Sequence, residues 1–291
     1  MSTAPSEPAS RQTVLLIHGM WMTPRSWDNW VDHYTDRGYR AIAPGWPGID
    51  KDPEEIRRDP SPLKGLGIAK VVDHYEQIIR GLDRPPIIIG HSFGGLFTQL
   101  LLDRGLGAAG VAIGTAPPKG VIALPPSTLR AAVPALKNPF NRNGLTHLSA
   151  KQFQWRFANT LGRDESDAIY REHYIPGTNR AFFEDAFANF SPNSPAQIDF
   201  RNPARPPLLL LVGEKDHISP PALNKTLLKL QRRAPSATES KEYPGRTHFT
   251  AGMDGWEEVA DYALNWALEH AVTAKAEGVA PGQAVTSPRS S

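Results

Sequence analysis

The sequence contains no cysteine among its 291 residues. This absence excludes disulfide bonds, thiol nucleophiles and thiolate metal sites. The sequence also lacks any apolar run of the roughly 20 residues that a membrane-spanning helix needs. The 32 basic and 30 acidic side chains nearly cancel, and neither sign forms a long run. The chain therefore has no electrostatic signature of a nucleic-acid or membrane partner, and a small, weakly charged or neutral partner is expected.

The two ends of the chain differ in composition from the rest. Residues 1–10 are rich in Ser, Ala and Pro and lack the basic and apolar parts of a secretory signal, so a cytoplasmic protein is expected. Residues 274–291 are mostly small and polar, and both ends are predicted to be disordered. The remainder, residues 11–272, has the apolar content of an ordinary globular protein and is predicted to form a single domain.

Short apolar runs alternate with segments of helical periodicity along most of the chain. This alternation predicts an α/β fold with a mostly parallel sheet. The inner runs are apolar throughout, as expected for strands that are covered on both faces. The six predicted strands are residues 13–17, 40–43, 86–90, 110–114, 207–212 and 238–243.

Helices are predicted between these strands from the spacing of apolar residues. Trp27, Trp30, Val31 and Tyr34 fall at positions i, i+3, i+4 and i+7, which is typical of one face of a helix. Residues 68–82 and 256–267 repeat the pattern. For the aromatic residues among them, packing in the core is a better interpretation than a role in binding.

The region between the fourth and fifth predicted strands, residues 117–206, contains no convincing strand. It is too long for a structureless loop within a compact domain, and it is rich in aromatic and apolar residues. We interpret it as a helical cap inserted into the sheet domain. An independent second domain is less favoured, because the strand pattern resumes after residue 206.

The motif most indicative of chemistry is Gly-His-Ser-Phe-Gly-Gly at residues 90–95. It directly follows a predicted strand and precedes a predicted helix. A serine on such a tight strand-to-helix turn exposes its hydroxyl above the sheet, and the flanking glycines leave room for the strained backbone. We therefore predict that Ser92 is a nucleophile.

A serine nucleophile needs a base, and the base needs an orienting acid. Asp216 follows the fifth predicted strand and His248 follows the last one, which is the order acid then histidine that this arrangement requires. Glu214 is an alternative acid, and Asp216 could instead cap the helix that follows it. His217 lies too close to the acid to serve as the base, and His248 is preferred to a structural loop histidine.

Acyl transfer also requires donors for the developing oxyanion. The backbone N–H of Phe93 is predicted to be one, and that of Met20, on the loop after the first strand, the other. His18 is expected to brace this loop rather than to take part in chemistry. Trp21 and Trp46 follow strand ends, where ligands bind in open α/β sheets, and they are candidates for lining a substrate pocket. Core packing is nearly as good an interpretation for both.

Residues 18–19, the 90–95 motif, the 213–216 turn and His248 together resemble the α/β-hydrolase superfamily over residues 13–268. The resemblance is greatest to the branch of carboxylesterases, plant-type methylesterases, hydroxynitrile lyases and C–C bond hydrolases. It implies a cofactor-free enzyme with a helical cap.

The sequence departs from the superfamily pattern in two places. Only a dozen residues precede the first predicted strand, so the first two strands common in the superfamily are expected to be absent. Gly45 stands where many relatives carry an aspartate.

The resemblance and the residues predict a serine hydrolase acting on a carboxylic ester or related acyl compound, with an apolar or aromatic substrate of modest size. A lyase or C–C bond hydrolase using the same three residues is an alternative, as is a non-enzymatic ligand receptor on the same scaffold. No metal site is predicted, because the nine histidines show no metal-binding spacing with a matching carboxylate. No phosphate-binding or dinucleotide-binding motif is present either.

Overall fold

The structure is a computed structural model that describes residues 12–123 and 125–271. Within these residues a six-stranded parallel sheet has the order β2-β1-β3-β4-β7-β8. Its strands are β1 (Thr13–Ile17), β2 (Arg40–Ile42), β3 (Ile87–His91), β4 (Ala109–Ile113), β7 (Leu208–Gly213) and β8 (Thr238–Tyr243). Each lies within one residue of its predicted bounds, so the predicted parallel sheet is confirmed.

The register of the sheet places the predicted site residues at one edge. Ile17 pairs with Gly90, His91 pairs with Ile113, and Gly213 pairs with Tyr243. Since all the strands run in the same direction, the loops that follow β1, β3, β7 and β8 leave the sheet at its carboxyl edge. These are the loops in which the candidate functional residues occur.

Helices cover both faces of the sheet, as the apolar character of its inner strands requires. The ten α-helices of the described residues are α1 (Asp28–Asp36), α2 (Pro53–Arg58), α3 (Ile68–Arg80), α4 (Phe93–Asp103), α5 (Pro126–Leu136), α6 (Ala150–Phe157), α7 (Arg163–His173), α8 (Asn179–Ala186), α9 (Pro221–Gln231) and α10 (Trp256–His270).

Alternate residues of the strands enter separate apolar clusters on the two faces. Val14 and Leu16 of β1 pack with Trp30 of α1 and with residues of α10. Leu15 of the same strand packs with Val72 of α3 and with residues of α4. The alternation of side chains along a strand therefore divides the core into two layers.

The segment between β4 and β7 contains α5 to α8 within its described residues. It also contains β5 (Leu145–Thr146) and β6 (Gly177–Thr178), which pair as an antiparallel two-stranded sheet. The expectation that this segment has no strand was wrong, because a pair of two-residue strands leaves no alternating pattern in a sequence. Phe153 and Phe157 of α6 are fully buried, whereas Phe140 and Phe190 are 98% and 84% exposed.

The predicted disordered ends, residues 1–10 and 274–291, lie outside the described residues. Among the helices that the structure describes, none combines the length and the apolar character needed to cross a membrane.

Candidate active site

Ser92 occupies the turn between β3 and α4. Its φ of 55° and ψ of −118° lie outside the regions that residues with a side chain normally adopt. Such a conformation costs about 1–3 kcal/mol and persists only when its surroundings impose it. A Cβ on Gly90 would lie 2.1 Å from the carbonyl oxygen of Gly94, and one on Gly94 would lie 2.1 Å from that of Ile17. The turn can therefore form only with glycine at both positions.

Backbone hydrogen bonds hold this turn from several directions. The Ser92 N–H donates to the carbonyl of Ile113 at 2.9 Å, and the Ser92 carbonyl accepts from the N–H groups of Ala116 at 3.1 Å and Gly95 at 3.0 Å. The end of β4 and the first turn of α4 together impose the conformation of Ser92. The serine is 4% exposed.

Asp216 and His248 form a fully buried pair at the same edge of the sheet. The His248 Nδ1–H donates to Asp216 Oδ2 at 2.7 Å, and neither side chain is exposed. Asp216 Oδ1 accepts from the backbone N–H groups of Ile218 at 2.7 Å and Ser219 at 2.8 Å. Because a carboxylate can only accept, the pair fixes the proton of the imidazole on Nδ1 and leaves Nε2 as the basic nitrogen.

Two contacts place His248 beside the turn that carries Ser92. The Nε2–H of His91, the residue before the serine, donates to the His248 carbonyl at 2.7 Å, and the two rings are 4.7 Å apart. A Cβ on Gly114, at the end of β4, would lie 3.2 Å from His248 Nδ1. His248 is therefore held close to the residue that precedes Ser92 and to the end of β4, the strand that pairs with β3.

The Ser92 hydroxyl and His248 Nε2 do not form a hydrogen bond in this structure. Nε2 is buried and has no partner among the described residues. Hydrogen bonds of this kind are often long without a substrate and shorten in the complex, so the geometry leaves Nε2 free to accept a proton.

The alternative residues considered from the sequence lie elsewhere. Glu214 is exposed; it pairs with Lys215 at 2.9 Å and accepts from the Gly245 N–H at 2.9 Å. His217 donates from Nδ1 to the carbonyl of Trp155 at 2.8 Å. Neither side chain takes part in the buried pair.

The two predicted oxyanion donors lie on the loops around Ser92. Phe93 is the first residue of α4, where a backbone N–H has no acceptor within the helix. Met20 lies on the loop after β1. Neither N–H donates to an acceptor within the described residues.

The two histidines next to the site are held neutral by their surroundings. Burial lowers the pKa of His18 to about 4 and that of His91 to about 3. His18 donates from Nδ1 to the Gly19 carbonyl at 2.9 Å and accepts from the Trp46 N–H at 3.3 Å. Both rings thus brace loops of the site in their neutral forms.

A cavity of about 230 Å³ lies between the Ser92 turn and helices α5 and α8. Trp21 is among its lining residues. Trp46 is not: it is 2% exposed, its ring stacks on His18 with centroids 4.9 Å apart, and it packs against Phe97. Of the two interpretations considered for Trp46, its position corresponds to core packing, because its loop turns the indole under the site and into the core.

The walls of the cavity are almost entirely apolar. Its described lining residues include Trp21, Ser92, Phe93, Val121, Leu129, Leu136, Phe182, Asp185, Phe187, Ile218 and Leu223. Leu129 and Phe187 are 50% and 51% exposed, so the entrance is apolar as well. No three acidic or histidine side chains among residues 12–123 and 125–271 converge in a way that would hold a metal ion.

Sequence reasoning did not identify Asp185, Gly114 or the contact from His91 to His248. Asp185 lies in a helix whose position could not be predicted, and a single sequence contains no signal for it. The local backbone explains why position 45 is glycine. A Cβ there would lie 1.7 Å from the carbonyl oxygen of Ile49, so the turn has no room for the aspartate of many relatives.

Comparison with known proteins agrees with this architecture. The human "Putative protein-lysine deacylase ABHD14B" is 30% identical over 100 residues, and the match spans 32% of this chain but only 44% of that protein. The monoacylglycerol lipase of Paleococcus ferrophilus is 19% identical, with a TM-score of 0.61 over 89% of this chain and 95% of its own. The Arabidopsis methylesterase MES16 is 12% identical, with a TM-score of 0.61 over 89% and 99%.

These solved structures share the fold of this chain. The sequence profile of the Alpha/beta hydrolase family matches residues 14–262, which is most of the sequence. The family assignment thus rests on the sequence profile as well as on the sheet order and the strand-to-helix turn at Ser92. The chain belongs to the α/β hydrolase family.

Proposed function

We propose that this enzyme is a serine hydrolase that cleaves a carboxylic ester or related acyl compound through an acyl-enzyme on Ser92. The observation that carries the proposal is the buried pair of His248 and Asp216, 2.7 Å apart, beside a strained serine that faces a cavity. A fixed Nδ1 proton leaves Nε2 as a base, and this is the state in which an imidazole can activate a serine.

The proposed reaction has two steps. His248 Nε2 takes the proton of Ser92 while the serine oxygen attacks the acyl carbonyl, and the imidazolium then gives that proton to the leaving alcohol. Water repeats the sequence on the acyl-enzyme and releases the acid. Asp216 orients the ring and stabilises its charged form, and the N–H groups of Met20 and Phe93 bind the oxyanion.

We further propose that residues 117–206 act as a cap that shapes the substrate site. Residues of α5 and α8 line the cavity opposite Ser92, and almost all of them are apolar. A cavity of about 230 Å³ with such walls suits a small apolar or aromatic acyl compound. The wall residue Phe182 contacts Trp21 and Phe93, with ring centroids 4.8 Å and 5.1 Å apart, so the cap directly borders the loops of the reaction.

The test is a panel of p-nitrophenyl esters and anilides of short acids, assayed with wild type and with Ser92→Ala. We expect wild type to release an initial burst of p-nitrophenol equal to the enzyme concentration, and Ser92→Ala to lose activity by about 10⁴-fold or more. Ser61→Ala, at an exposed serine, serves as the matched control and should retain the activity of the wild type.

The outcomes separate the competing functions. Full activity in Ser92→Ala would overturn the proposal. A lyase or C–C bond hydrolase would turn over its substrate without an acyl-enzyme, and no burst would appear with any ester. A receptor would bind a small molecule equally well with and without the Ser92 hydroxyl and would hydrolyse none of the panel.

A further inference from the structure

The cavity contains one feature that hydrolysis of a simple apolar ester does not use. Asp185 is the only charged side chain among the described residues that line it. Its Oδ1 atom is buried and has no hydrogen-bond partner within the described structure. Burying a carboxyl group in an apolar wall is unfavourable when neither a hydrogen-bond donor nor an opposite charge accompanies it. A bound molecule that supplies a donor or a positive charge would therefore be favoured.

Two other polar side chains on the cavity wall already have partners. The Thr128 hydroxyl donates to the carbonyl of Ile218 at 2.8 Å. Asn189 accepts from the Gly120 N–H at 2.6 Å and donates to the Val121 carbonyl at 3.2 Å. Asp185 therefore differs from these two in having an unpaired oxygen among the described residues, and it differs from Ser92 and Ser219, the remaining polar side chains of the wall, in carrying a charge when ionised.

Among the residues that the structure describes, no cationic side chain pairs with this carboxyl group. Arg180, on the same helix, is paired with Glu184 at 2.6 Å. Burial alone raises the pKa of Asp185, to about 7, and no neighbouring charge contributes to the shift. At neutral pH the Asp185 side chain is thus present both as the protonated acid and as the carboxylate. A cation beside it would favour the carboxylate.

The position of Asp185 on α8 favours a positively charged partner. It is the penultimate residue of the helix, where the unpaired carbonyl groups give the helix end a partial negative charge. It also lies one helical turn, roughly 5 Å, beyond Phe182, whose ring contacts Phe93 next to the serine. A substrate whose carbonyl is at Ser92 could therefore reach Asp185 with a short side arm.

We propose that Asp185 is a specificity-determining residue that selects an acyl substrate with a cationic nitrogen a few bonds from the scissile carbonyl. This inference rests on the proposed hydrolase function. The apolar walls would contact the carbon chain of the substrate, and the carboxylate would pair with its ammonium group. The same arrangement disfavours substrates that carry a carboxylate.

The test uses matched substrates of equal shape and different charge. One pair is the acetate ester of a trimethylammonio alcohol and the ester of its tert-butyl isostere. The other pair is the methyl ester of an ω-trimethylammonio acid and that of its tert-butyl isostere, each with three to five carbons between the groups. The permanent charge keeps the substrate cationic at every pH, and proton release in a pH-stat follows the hydrolysis.

We expect wild type to prefer the charged member of at least one pair by about tenfold or more in kcat/KM, because the permanent positive charge is attracted to the Asp185 carboxylate in a poorly hydrated wall. In Asp185→Asn, which preserves the shape of the side chain, that ratio should fall by about tenfold, towards one. Asp164→Asn removes the same charge from an exposed position on α7 and should leave the ratio as in wild type.

The inference is overturned if wild type shows no preference for charge, or if Asp185→Asn keeps that preference. A preference for neutral hydrogen-bonding substrates over both cationic and apolar ones would also overturn it, since the carboxyl group would then act as a neutral donor. Hydrolysis of the uncharged esters by wild type and its loss in Ser92→Ala would show, in the same assay, that the proposed function stands regardless of this result.

Discussion

The carboxylates at the carboxyl edge of the sheet and on α8 differ in how completely they are hydrogen-bonded. At the sheet edge both oxygens of Asp216 are occupied, one by His248 and the other by two backbone N–H groups. On α8, Asp185 has a buried oxygen with no partner in the described residues. Under the two proposed roles, the fold supplies every hydrogen-bond partner of the carboxylate assigned to chemistry and leaves the carboxylate assigned to substrate recognition without one.

The largest effect that would sharpen this comparison is expected from Asp216→Asn. The amide cannot hold the Nδ1 proton in place, so the imidazole adopts the wrong tautomer. We expect kcat to fall by about 10³–10⁴-fold, as in other serine hydrolase triads. The loss should be the same for charged and neutral esters, whereas Asp185→Asn should change their ratio.

Steady-state kinetics on the matched esters measure both variants in one experiment. A loss in Asp216→Asn that differs between charged and neutral esters by more than about tenfold would contradict the assignment of chemistry to the sheet edge and recognition to α8.

An intermediate effect concerns stability in acid. His18 and His91 have folded-state pKa values of about 4 and 3, below the ordinary value of 6.5. Between pH 6.5 and 4 the unfolded chain binds protons that the folded chain does not, so the free energy of unfolding falls as the pH falls. Each group contributes up to about 1.4 kcal/mol per pH unit in that window.

Urea unfolding at several pH values checks this expectation. His91→Gln retains a hydrogen-bond donor but cannot titrate, and its free energy of unfolding should fall less steeply with acid than that of wild type. His147→Gln, at an exposed position, is the control and should show the slope of the wild type. Equal slopes in wild type and His91→Gln would contradict the buried neutral state of His91.

The sequence predicted the sheet better than the helical segment for a physical reason. Strands such as β1 and β7 are apolar along their whole length, and each is bounded by turn residues, so their bounds could be predicted to within one residue. The strands β5 and β6 are only two residues long. Phe140 and Phe190 lie in solvent although their residue type suggests burial. No local sequence pattern distinguishes the buried from the exposed aromatic residues of the segment 117–206.

The candidate site divides in the same way. Each of the three residues Ser92, Asp216 and His248 follows a predicted strand. The carboxyl ends of parallel strands lie at one edge of the sheet, so the sequence predicts that these residues lie close together. Trp46 also follows a strand, yet its indole N–H donates to the His18 carbonyl at 3.2 Å beneath the site. Side-chain direction within a loop depends on tertiary contacts, and sequence position alone could not separate Trp21 from Trp46.

The smallest expected effect concerns the strained backbone of the serine. Ser92→Gly and Ser92→Ala both remove the hydroxyl, but only glycine relieves the φ of 55°. Glycine relieves the strain of the folded turn but loses more conformational entropy on folding. The net result should be a free energy of unfolding that is higher for Ser92→Gly than for Ser92→Ala by about 1 kcal/mol. Urea unfolding of the two variants measures the difference, and an alanine variant as stable as the glycine variant would show that the turn is not strained.

Covalent trapping measures whether His248 activates Ser92. Wild type is treated with a fluorophosphonate, the modified peptide is identified by mass spectrometry, and the labelling rate is compared with that of His248→Ala. If His248 activates Ser92, we expect a single adduct on Ser92 in wild type, and labelling of His248→Ala that is slower by about 10²-fold or more. An adduct on another residue, or equal rates in the two proteins, would contradict it.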